Sequence, residues 1–346
     1  MAALGELQGA GLIEKDTNDD VLWTWSYPVV TADFRDVLLY KCPLTSDCPY
    51  TQFIFGQHKH KWFYIATQDV ANHPTLTKVK AFSLVLLCKD FNPEKYKALS
   101  LILYSTFMRT GSPSSMLESY LSVLTKGSCP SENNGTFLVQ DFDVRKAYAE
   151  SNLSELIEMF GMEAILIYTA MLLKRRIVVY HSNVQELLAF TRSLPALVWH
   201  RQNWSIMSPY VHLKTQELES LNSILLMGFT DAAVENHTEL YDLYVNLPAN
   251  EIMIATHAKS IFGMGKLHKD IAQTMVKCME EGNTEQQIIK ELSVKTKELI
   301  SNLKSLGETS GQNLCITFDI LKKKSLPPAT ENFLYNLAAA EGFLQI

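Results

Sequence analysis

The stretch GMEAILIYTAMLLKRRIVVYHSNVQELLAFTRSLPALVW, residues 161 to 199, predicts the architecture of the chain. Its first thirteen residues carry one charge, at Glu163, and no proline, so they predict a helix that is apolar on nearly every side and therefore buried. The short β-branched run IVVY predicts a buried strand. Asn183 then predicts the N-cap of a second helix, which has Leu187 and Leu188 on its apolar face. Helix, strand and helix in this order are typical of an α/β layer packed around a central sheet.

The composition favours a folded protein of more than one domain. With 346 residues, 47% of them hydrophobic, the chain can bury a large core, which predicts two or three domains. A formal net charge of −6 lacks the basic footprint of a nucleic-acid binder. The amino terminus has no signal segment, and the longest apolar run is shorter than the roughly 20 residues that cross a bilayer. We therefore expect a cytoplasmic protein with no nucleic-acid partner, no transmembrane segment and peripheral membrane association only.

The first third of the chain predicts a compact α+β unit over about residues 20–127. VLWTWSY (21–27) predicts a strand, QFIF and KWFYIAT predict a hairpin around residues 56–60, and AFSLVLLC (81–88) predicts a strand buried on both faces. Two amphipathic helices follow, which we expect to end at Gly111 and Gly127 because glycine is favoured at C′ positions. The turn-rich segment 127–136 then predicts a linker.

The remainder predicts a middle domain at about residues 137–258 and a helical tail. SILLMGF (223–229) and ELYDLYVNLP (239–248) predict further strands of the middle domain. Beyond Gly263 the hydrophobic spacing becomes helical, and Thr284 with Gln287 matches a capping box. The run CITFDIL (315–321) is compatible with a strand or a helix, and its periodicity does not decide between them.

Candidate chemical sites are few, and each has a simpler structural interpretation. Gly265 and Lys266 lack the spacing of a phosphate-binding loop. His58 and His60 could hold a metal, but a solvated hairpin tip explains them better, since no third ligand lies nearby. The run 322–324 of three lysines could meet anionic lipid, although a solvated face is the simpler interpretation. We therefore predict no catalytic residue, no metal and no cofactor, and a function that depends on binding another protein surface.

Two regions of the central stretch are candidates for a protein-binding surface. The basic run 174–176 predicts either a solvated turn or a charged rim beside the central sheet. Trp199 and Trp204 flank a polar segment and could form a binding surface, because tryptophan is enriched at interaction hot spots. Core packing of both tryptophans is at least as compatible with the pattern.

The segment LKRRIVVYHSNVQELLAFTRSLPALVWHRQNWSIMSP, residues 173–209, resembles the central block of the DENN-domain family. The family usually has Glu where this chain has Lys174, and its proline just before the tryptophan is absent here. The resemblance extends over the whole chain and implies a fold of α/β and α+β type. It implies a longin-like antiparallel sheet with helices at 1–127, a central α/β module at 137–258 and a downstream helical module at 259–346.

The resemblance implies guanine-nucleotide exchange on a Rab GTPase at late endosomes, an activity without catalytic side-chain chemistry. In the family the Rab lies across the junction between the longin-like and central modules. The alternative is a non-catalytic adaptor that binds coiled-coil subunits of an endosomal sorting complex. The partner-binding residues that the resemblance indicates here are Lys174, Arg175, Arg176, Arg201, Gln202, Trp204 and Ser205.

Overall fold

The computed structural model describes residues 6–45, 52–70, 73–131, 135–201, 203–310 and 313–344. The chain divides into two compact units, Met1–Ala147 and Tyr148–Ile346. Antiparallel strands and helices form the first, and a mixed sheet with many helices forms the second, which confirms the α/β and α+β fold class. The three-module division at 1–127, 137–258 and 259–346 stays a prediction.

A five-stranded antiparallel sheet organises the described part of the first unit. Its strands follow the order β2-β1-β5-β4-β3. Their bounds are Leu7–Asp16 (β1), Val21–Tyr27 (β2), Phe53–His58 (β3), Lys61–Asp69 (β4) and Val79–Cys88 (β5). The predicted strand at 21–27 and the predicted hairpin are confirmed.

Helices cover both faces of β5, as the continuous apolar run predicts. The helices are Ala32–Lys41 (α1), Pro93–Thr110 (α2) and Pro113–Lys126 (α3). Phe82 meets Phe107 of α2 with ring centroids 4.9 Å apart. The next residue, Ser83, points to the opposite face, where its Oγ accepts a bond from the Cys42 thiol at 3.2 Å. Gly111 and Gly127 adopt left-handed conformations at the ends of α2 and α3, which confirms their predicted role.

The local pattern predicts no strand before about residue 20, whereas Leu7–Asp16 forms strand β1. Strand β1 lies next to the middle of the sheet and pairs with both β2 and β5. Glycine weakens a strand pattern, but here it makes room for a neighbour. A Cβ on Gly11 would lie 2.5 Å from the Trp23 ring, so the absence of a side chain allows the indole to cover β1.

The hairpin turn lies at Lys59 and His60, both of which have positive φ (48° and 61°), as a two-residue type I′ turn requires. His60 is exposed, as a solvated tip predicts, but His58 is not. The His58 side chain is buried and stacks on Phe34, with ring centroids 5.4 Å apart. The prediction that His58 belongs to a solvated tip is therefore corrected, because its strand position faces α1.

The segment predicted as a linker contains a small hairpin. Strands Ser128–Pro130 (β6) and Thr136–Leu138 (β7) pair antiparallel, and Cys129 is buried. Turn-forming residues account for the tight connection between these strands, and the sequence offered too few apolar residues to indicate the strands themselves. Helix Val144–Ala149 (α4) follows, at the division between the units.

The second unit is built on a mixed five-stranded sheet with the order β12-β11-β8-β10-β9. Its strands are Ile177–Tyr180 (β8), Met207–Val211 (β9), Leu226–Phe229 (β10), Leu243–Asn246 (β11) and Glu251–Ile254 (β12). Strand β8 is the IVVY run and pairs in parallel with β10 and β11 on its two sides. The predicted central strand thus lies in the middle of the sheet, and the two further predicted strands are confirmed as β10 and β11.

Helices surround this sheet and form most of the tail. They are Leu153–Phe160 (α5), Ala164–Leu172 (α6), Val184–Ser193 (α7), Thr215–Leu218 (α8), Lys266–Glu280 (α9), Glu285–Leu306 (α10), Phe318–Lys322 (α11) and Pro328–Glu341 (α12). Asn183 caps α7 by accepting from the Gln185 amide, as predicted. The Thr284–Gln287 capping box is confirmed.

The tail also resolves the ambiguous run at 315–321. A short hairpin, Glu308–Ser310 (β13) with Asn313–Cys315 (β14), precedes α11, so this run is the end of a strand followed by a helix. The three lysines at 322–324 are exposed, in agreement with a solvated face. No helix in the described part of the chain has both the length and the hydropathy of a membrane span.

The start of α9 contains a buried histidine that is sensitive to acid. His268 Nδ1 accepts the Gly265 amide at 3.1 Å, and its ring meets Phe333 at 4.3 Å. Burial lowers the pKa of His268 to about 4, from an ordinary value of 6.5. Because the unfolded chain takes up this proton first, stability is complete above pH 6.5 and is lost as the pH falls towards 4.

We expect His268→Gln to flatten this pH dependence. Glutamine can keep the cap acceptor at the same helix position but does not titrate. Between pH 6.5 and 4 the free energy of unfolding should fall in both proteins. The fall should be about 2–3 kcal/mol larger in the original protein than in the variant. Urea unfolding at several pH values measures this difference, with the exposed His60→Gln as the control. Parallel pH profiles for the original protein and His268→Gln would contradict the assignment.

Candidate functional site

The charged turn after α6 is held in one conformation by its own backbone. Lys174 adopts a left-handed conformation, with φ of 53°. The Lys174 amide donates to Met171 O at 3.3 Å and the Arg175 amide to Ala170 O at 2.8 Å, which is the hydrogen-bond pattern of a Schellman motif. The Lys174 side chain is exposed. The basic run is therefore exposed to solvent at Lys174, whereas the residue after it is held by its backbone hydrogen bond to α6.

Arg201, from the second predicted segment, reaches the same helix end. Its Nη1 donates to Met171 O at 3.0 Å and its Nη2 to Leu172 O at 2.7 Å. These carbonyls belong to the last turn of α6, where carbonyl groups can accept from donors outside the helix and where positive charge is favourable. The guanidinium therefore stabilises the end of the central helix, about one turn before Lys174.

Glu341, at the end of α12, completes this arrangement. Its carboxylate accepts from Arg201 Nη2 and lies 3.1 Å from His200 Nε2. Burial raises the pKa of Glu341, but the hydrogen bonds and charges of His200 and Arg201 outweigh that effect and lower it to about 2. The carboxylate is consequently ionised at neutral pH and forms an ion pair with Arg201. We call Arg201, His200 and Glu341 the helix-end clamp.

Arg175 and Arg176 are also tied to neighbouring elements. Arg175 Nη2 donates to Asn336 Oδ1 of α12 at 2.6 Å. The Arg176 amide donates to Asp242 Oδ2 at 2.8 Å, just before β11 begins. The turn is thus fixed to the last helix on one side and to the central sheet on the other, so the position of the exposed Lys174 side chain depends on both.

The other predicted partner-binding residues differ in their exposure. Trp204 is 6% exposed, so nearly all of its ring is buried, while Trp199 is half-buried. Ser205 is exposed, and its amide and hydroxyl both donate to Asn203 Oδ1, at 2.9 and 2.7 Å. Gln202 lies outside the described residues. Partner binding by all of these residues stays a prediction.

The sequence did not indicate Asn336, Glu341 or Asp242 as parts of this site. Each lies 66 to 161 residues from the group that it contacts, beyond the range of any local pattern. One signal was available for Glu341. An acidic residue in the last turn of a helix is unfavourable unless a cation compensates for it. Its position therefore indicated a basic partner, although it could not indicate which one.

The geometry of the turn places one exposed side chain on an anchored backbone. The Arg175 and Arg201 guanidinium groups donate hydrogen bonds within the fold, and Arg176 does so through its backbone amide. The Lys174 side chain, by contrast, is exposed. Among the residues that the structure describes, no group of three or more His, Cys, Asp or Glu could hold a metal ion.

Comparison with known proteins gives the family. Residues 150–256, which contain the central sheet and the turn, match the family model described as "SPA: Stabilization of polarity axis". A Danio rerio protein is 50% identical over 340 residues, which are 97% of this chain and 97% of that protein. A Homo sapiens protein is 49% identical, covering 98% of this chain and 96% of its own length. A Dictyostelium discoideum protein is 38% identical and covers 96% of each.

All three relatives are named for the DENN domain, and each is covered almost completely. The chain therefore belongs to the DENN-domain family. Within that family it is similar to the proteins called DENN domain-containing protein 10, the name that all three carry.

Proposed function

We propose that this protein is a guanine-nucleotide exchange factor that promotes release of GDP from a Rab GTPase during late endosomal trafficking. The family resemblance implies this activity, and near-complete coverage of DENN-domain relatives supports it. The observation that carries the proposal is the anchored turn, in which Lys174 is exposed while Arg175, Arg176 and Arg201 are tied to the surrounding structure. Such a turn can meet a partner with little loss of conformational entropy.

Exchange needs no reactive side chain in the exchange factor. A Rab holds GDP through its phosphate loop, Mg²⁺ and ordered switch segments. A protein that binds the nucleotide-free form with open switches best must weaken GDP binding by the same coupling factor. A release rate accelerated about a thousandfold requires about 4 kcal/mol of differential binding, which an interface of ordinary size can supply. GTP then binds and displaces the exchange factor.

The proposed partner surface is the turn 174–176 with the segment 201–205. Arg201 and Trp204 would act there by supporting the exposed groups, because both are directed into the fold. Lys174 and Ser205 would contact the Rab. We propose peripheral recruitment from the cytoplasm to late endosomes as the cellular setting of this reaction.

A fluorescent GDP-release assay over a panel of Rab proteins tests the proposal. We expect faster release from at least one Rab and tightest binding to its nucleotide-free form. Lys174→Ala should slow the stimulated rate by about threefold, because it removes an exposed charge at the rim of the proposed surface. Lys269→Ala removes the same charge at an exposed position of α9 and should leave the rate unchanged.

No stimulation of any Rab would refute exchange activity. Stable co-purification with coiled-coil subunits in that case would favour the adaptor hypothesis. If exchange occurs but Lys174→Ala behaves as Lys269→Ala does, the activity stands and the assigned surface is wrong.

A further inference from the structure

Helix α10 presents an open groove on the surface of the second unit. The groove has a volume of about 510 Å³. Its lining residues are Trp199, Gln286, Ile289, Lys290, Ser293, Val294 and Lys297. The six that belong to α10 lie three or four positions from one another along the chain, which places them on one face of that helix as a single stripe. The stripe extends over residues 286–297, which is about 16 Å at the rise of an α-helix.

The opposite stripe of α10 fixes the groove in place. Leu292, Thr296 and Leu299 are buried against the unit, and Thr296 Oγ1 lies 2.8 Å from Tyr168 Oη of α6. The Glu285 carboxylate accepts the Leu153 and Ser154 amides at 2.8 Å, which caps α5. The groove is therefore built on a rigid helix, as a preformed binding surface requires.

The groove combines apolar side chains with two exposed lysines. Val294 is 42% exposed, and it lines the groove together with the half-buried Trp199. Lys290 and Lys297 have no carboxylate within 4.0 Å among the described residues. By contrast, Lys295, further round the same helix, lies 3.9 Å from Glu298. The two lysines without a carboxylate partner thus line the same groove as the exposed Val294 and the half-buried Trp199.

The shape and spacing of the groove indicate its occupant. Lys290 and Lys297 are seven residues apart, about 10 Å along the helix axis. Acidic side chains seven residues apart on a second helix have the same separation, and the apolar residues between them would meet Val294 and Trp199. We propose that this groove binds an acidic amphipathic helix of a partner protein.

A second copy of the chain fits this surface less well. Closed dimers bring the same patch of each subunit together. Such packing would place the lysines of one groove against those of the other, and like charges that face each other are destabilising. A partner helix with acidic flanks avoids this repulsion. The proposal concerns a surface formed by α10 and Trp199, and it holds whether or not the protein acts on a Rab.

The binding test uses a fluorescently labelled peptide of three heptads, with Leu at a and d and Glu at e and g. The repulsion between its own glutamates keeps the peptide from pairing with itself. We expect saturable binding at low salt with a Kd of about 10–100 μM, measured by fluorescence anisotropy on the full chain. The paired reversal Lys290→Glu with Lys297→Glu should weaken binding at least about tenfold. A peptide with Lys at e and g should bind that variant better than it binds the original protein.

The control reverses two exposed lysines elsewhere, Lys269→Glu with Lys323→Glu, and so gives the same net charge. It should leave peptide binding within about twofold. Val294→Glu tests the apolar side chains of the groove separately and should also weaken binding, while circular dichroism shows whether each variant folds. Equal loss in the control, or no binding of the original protein, would overturn the proposal. Concentration-dependent dimerisation that Val294→Glu abolishes would overturn it in favour of a second copy.

Discussion

Replacing Lys95 with methionine is expected to lower the free energy of unfolding of the first unit by about 3–5 kcal/mol, the usual effect of removing one member of a buried ion pair. Lys95 is 4% exposed. Its ammonium donates to Asp90 at 2.5 Å and to Glu6 at 2.8 Å. Methionine has a similar volume but leaves the largely buried Asp90 carboxylate without its cation. A loss of this size should reduce the melting temperature by about 10 °C.

The contacts around Lys95 explain why its charge should contribute more to stability than its packing does. Tyr96 donates its hydroxyl to Asp90, and the Lys95 ammonium lies 4.5 Å from the Tyr96 ring centroid. Burial by itself lowers the pKa of Lys95, but the charges of Asp90 and Glu6 outweigh it and raise the pKa above 10.5. The stability that comes from this charge is therefore complete below pH 10.5 and is lost only as the pH rises through the higher folded-state value.

Scanning calorimetry of three variants separates charge from volume. Lys95→Met combined with Asp90→Asn should recover part of the loss, because asparagine can still accept from Tyr96 and carries no unpaired charge. Lys89→Met removes an exposed lysine nearby and should change stability by less than about 0.5 kcal/mol. A single Lys95 variant no less stable than Lys89→Met, or a double variant no better than the single one, would contradict the assignment.

The difference between Lys89 and Lys95 also shows what the sequence could and could not predict. Local patterns carry information over a few residues, so they correctly predicted the central strand at 177–180, the Asn183 cap and the Thr284 capping box. They did not predict that Lys95 meets Glu6, 89 residues away, or that Arg201 meets Glu341. Long-range polar contacts depend on the tertiary fold and leave no periodic trace.

The strand that the sequence missed has the same explanation. Strand β1 contains two glycines, which weaken its local signal, and its stability comes from pairing with β5 over nearly its whole length. Partner binding at the candidate site stays a prediction, although the structure shows where most of the predicted residues lie. Arg201 binds the end of α6, which the turn directly follows, but local periodicity had no means of showing that Arg201 and Trp204 are directed into the fold.

Replacing Arg201 with alanine is the second large effect that we expect, a loss of about 2–4 kcal/mol in the free energy of unfolding of the second unit. The substitution removes the donors to Met171 O and Leu172 O at the end of α6 and leaves the Glu341 carboxylate without its main partner. Hydrogen bonds to charged groups contribute about 1.5–3 kcal/mol each, and a half-buried carboxylate that loses its arginine and keeps only His200 adds to the loss. Urea unfolding followed by circular dichroism measures it.

Lys174 provides the matched comparison, because it lies in the same turn but is exposed. Lys174→Gly should leave the free energy of unfolding unchanged or raise it by up to about 1 kcal/mol, since glycine adopts the left-handed conformation without steric cost. Arg201→Ala with Glu341→Gln should be more stable than Arg201→Ala alone, because the uncompensated charge is gone. The clamp contributes through the ionised Glu341, whose pKa is about 2, so its stabilisation is complete above pH 4.5 and falls as the pH approaches 2.

Variants of Arg201 and Lys174 should also distinguish, in the exchange assay, a residue that supports the turn from a residue that is proposed to contact the Rab. Under conditions where Arg201→Ala remains folded, its loosened turn should lower the stimulated release rate, and shortening the Glu341 side chain by Glu341→Asp should lower it too. Lys174→Ala should lower the rate with little change in stability, because the Lys174 side chain is exposed. Arg201→Ala with unchanged stability would show that the helix-end clamp does not hold the turn. In that case Arg201 would itself be available to a partner, as the family resemblance first implied.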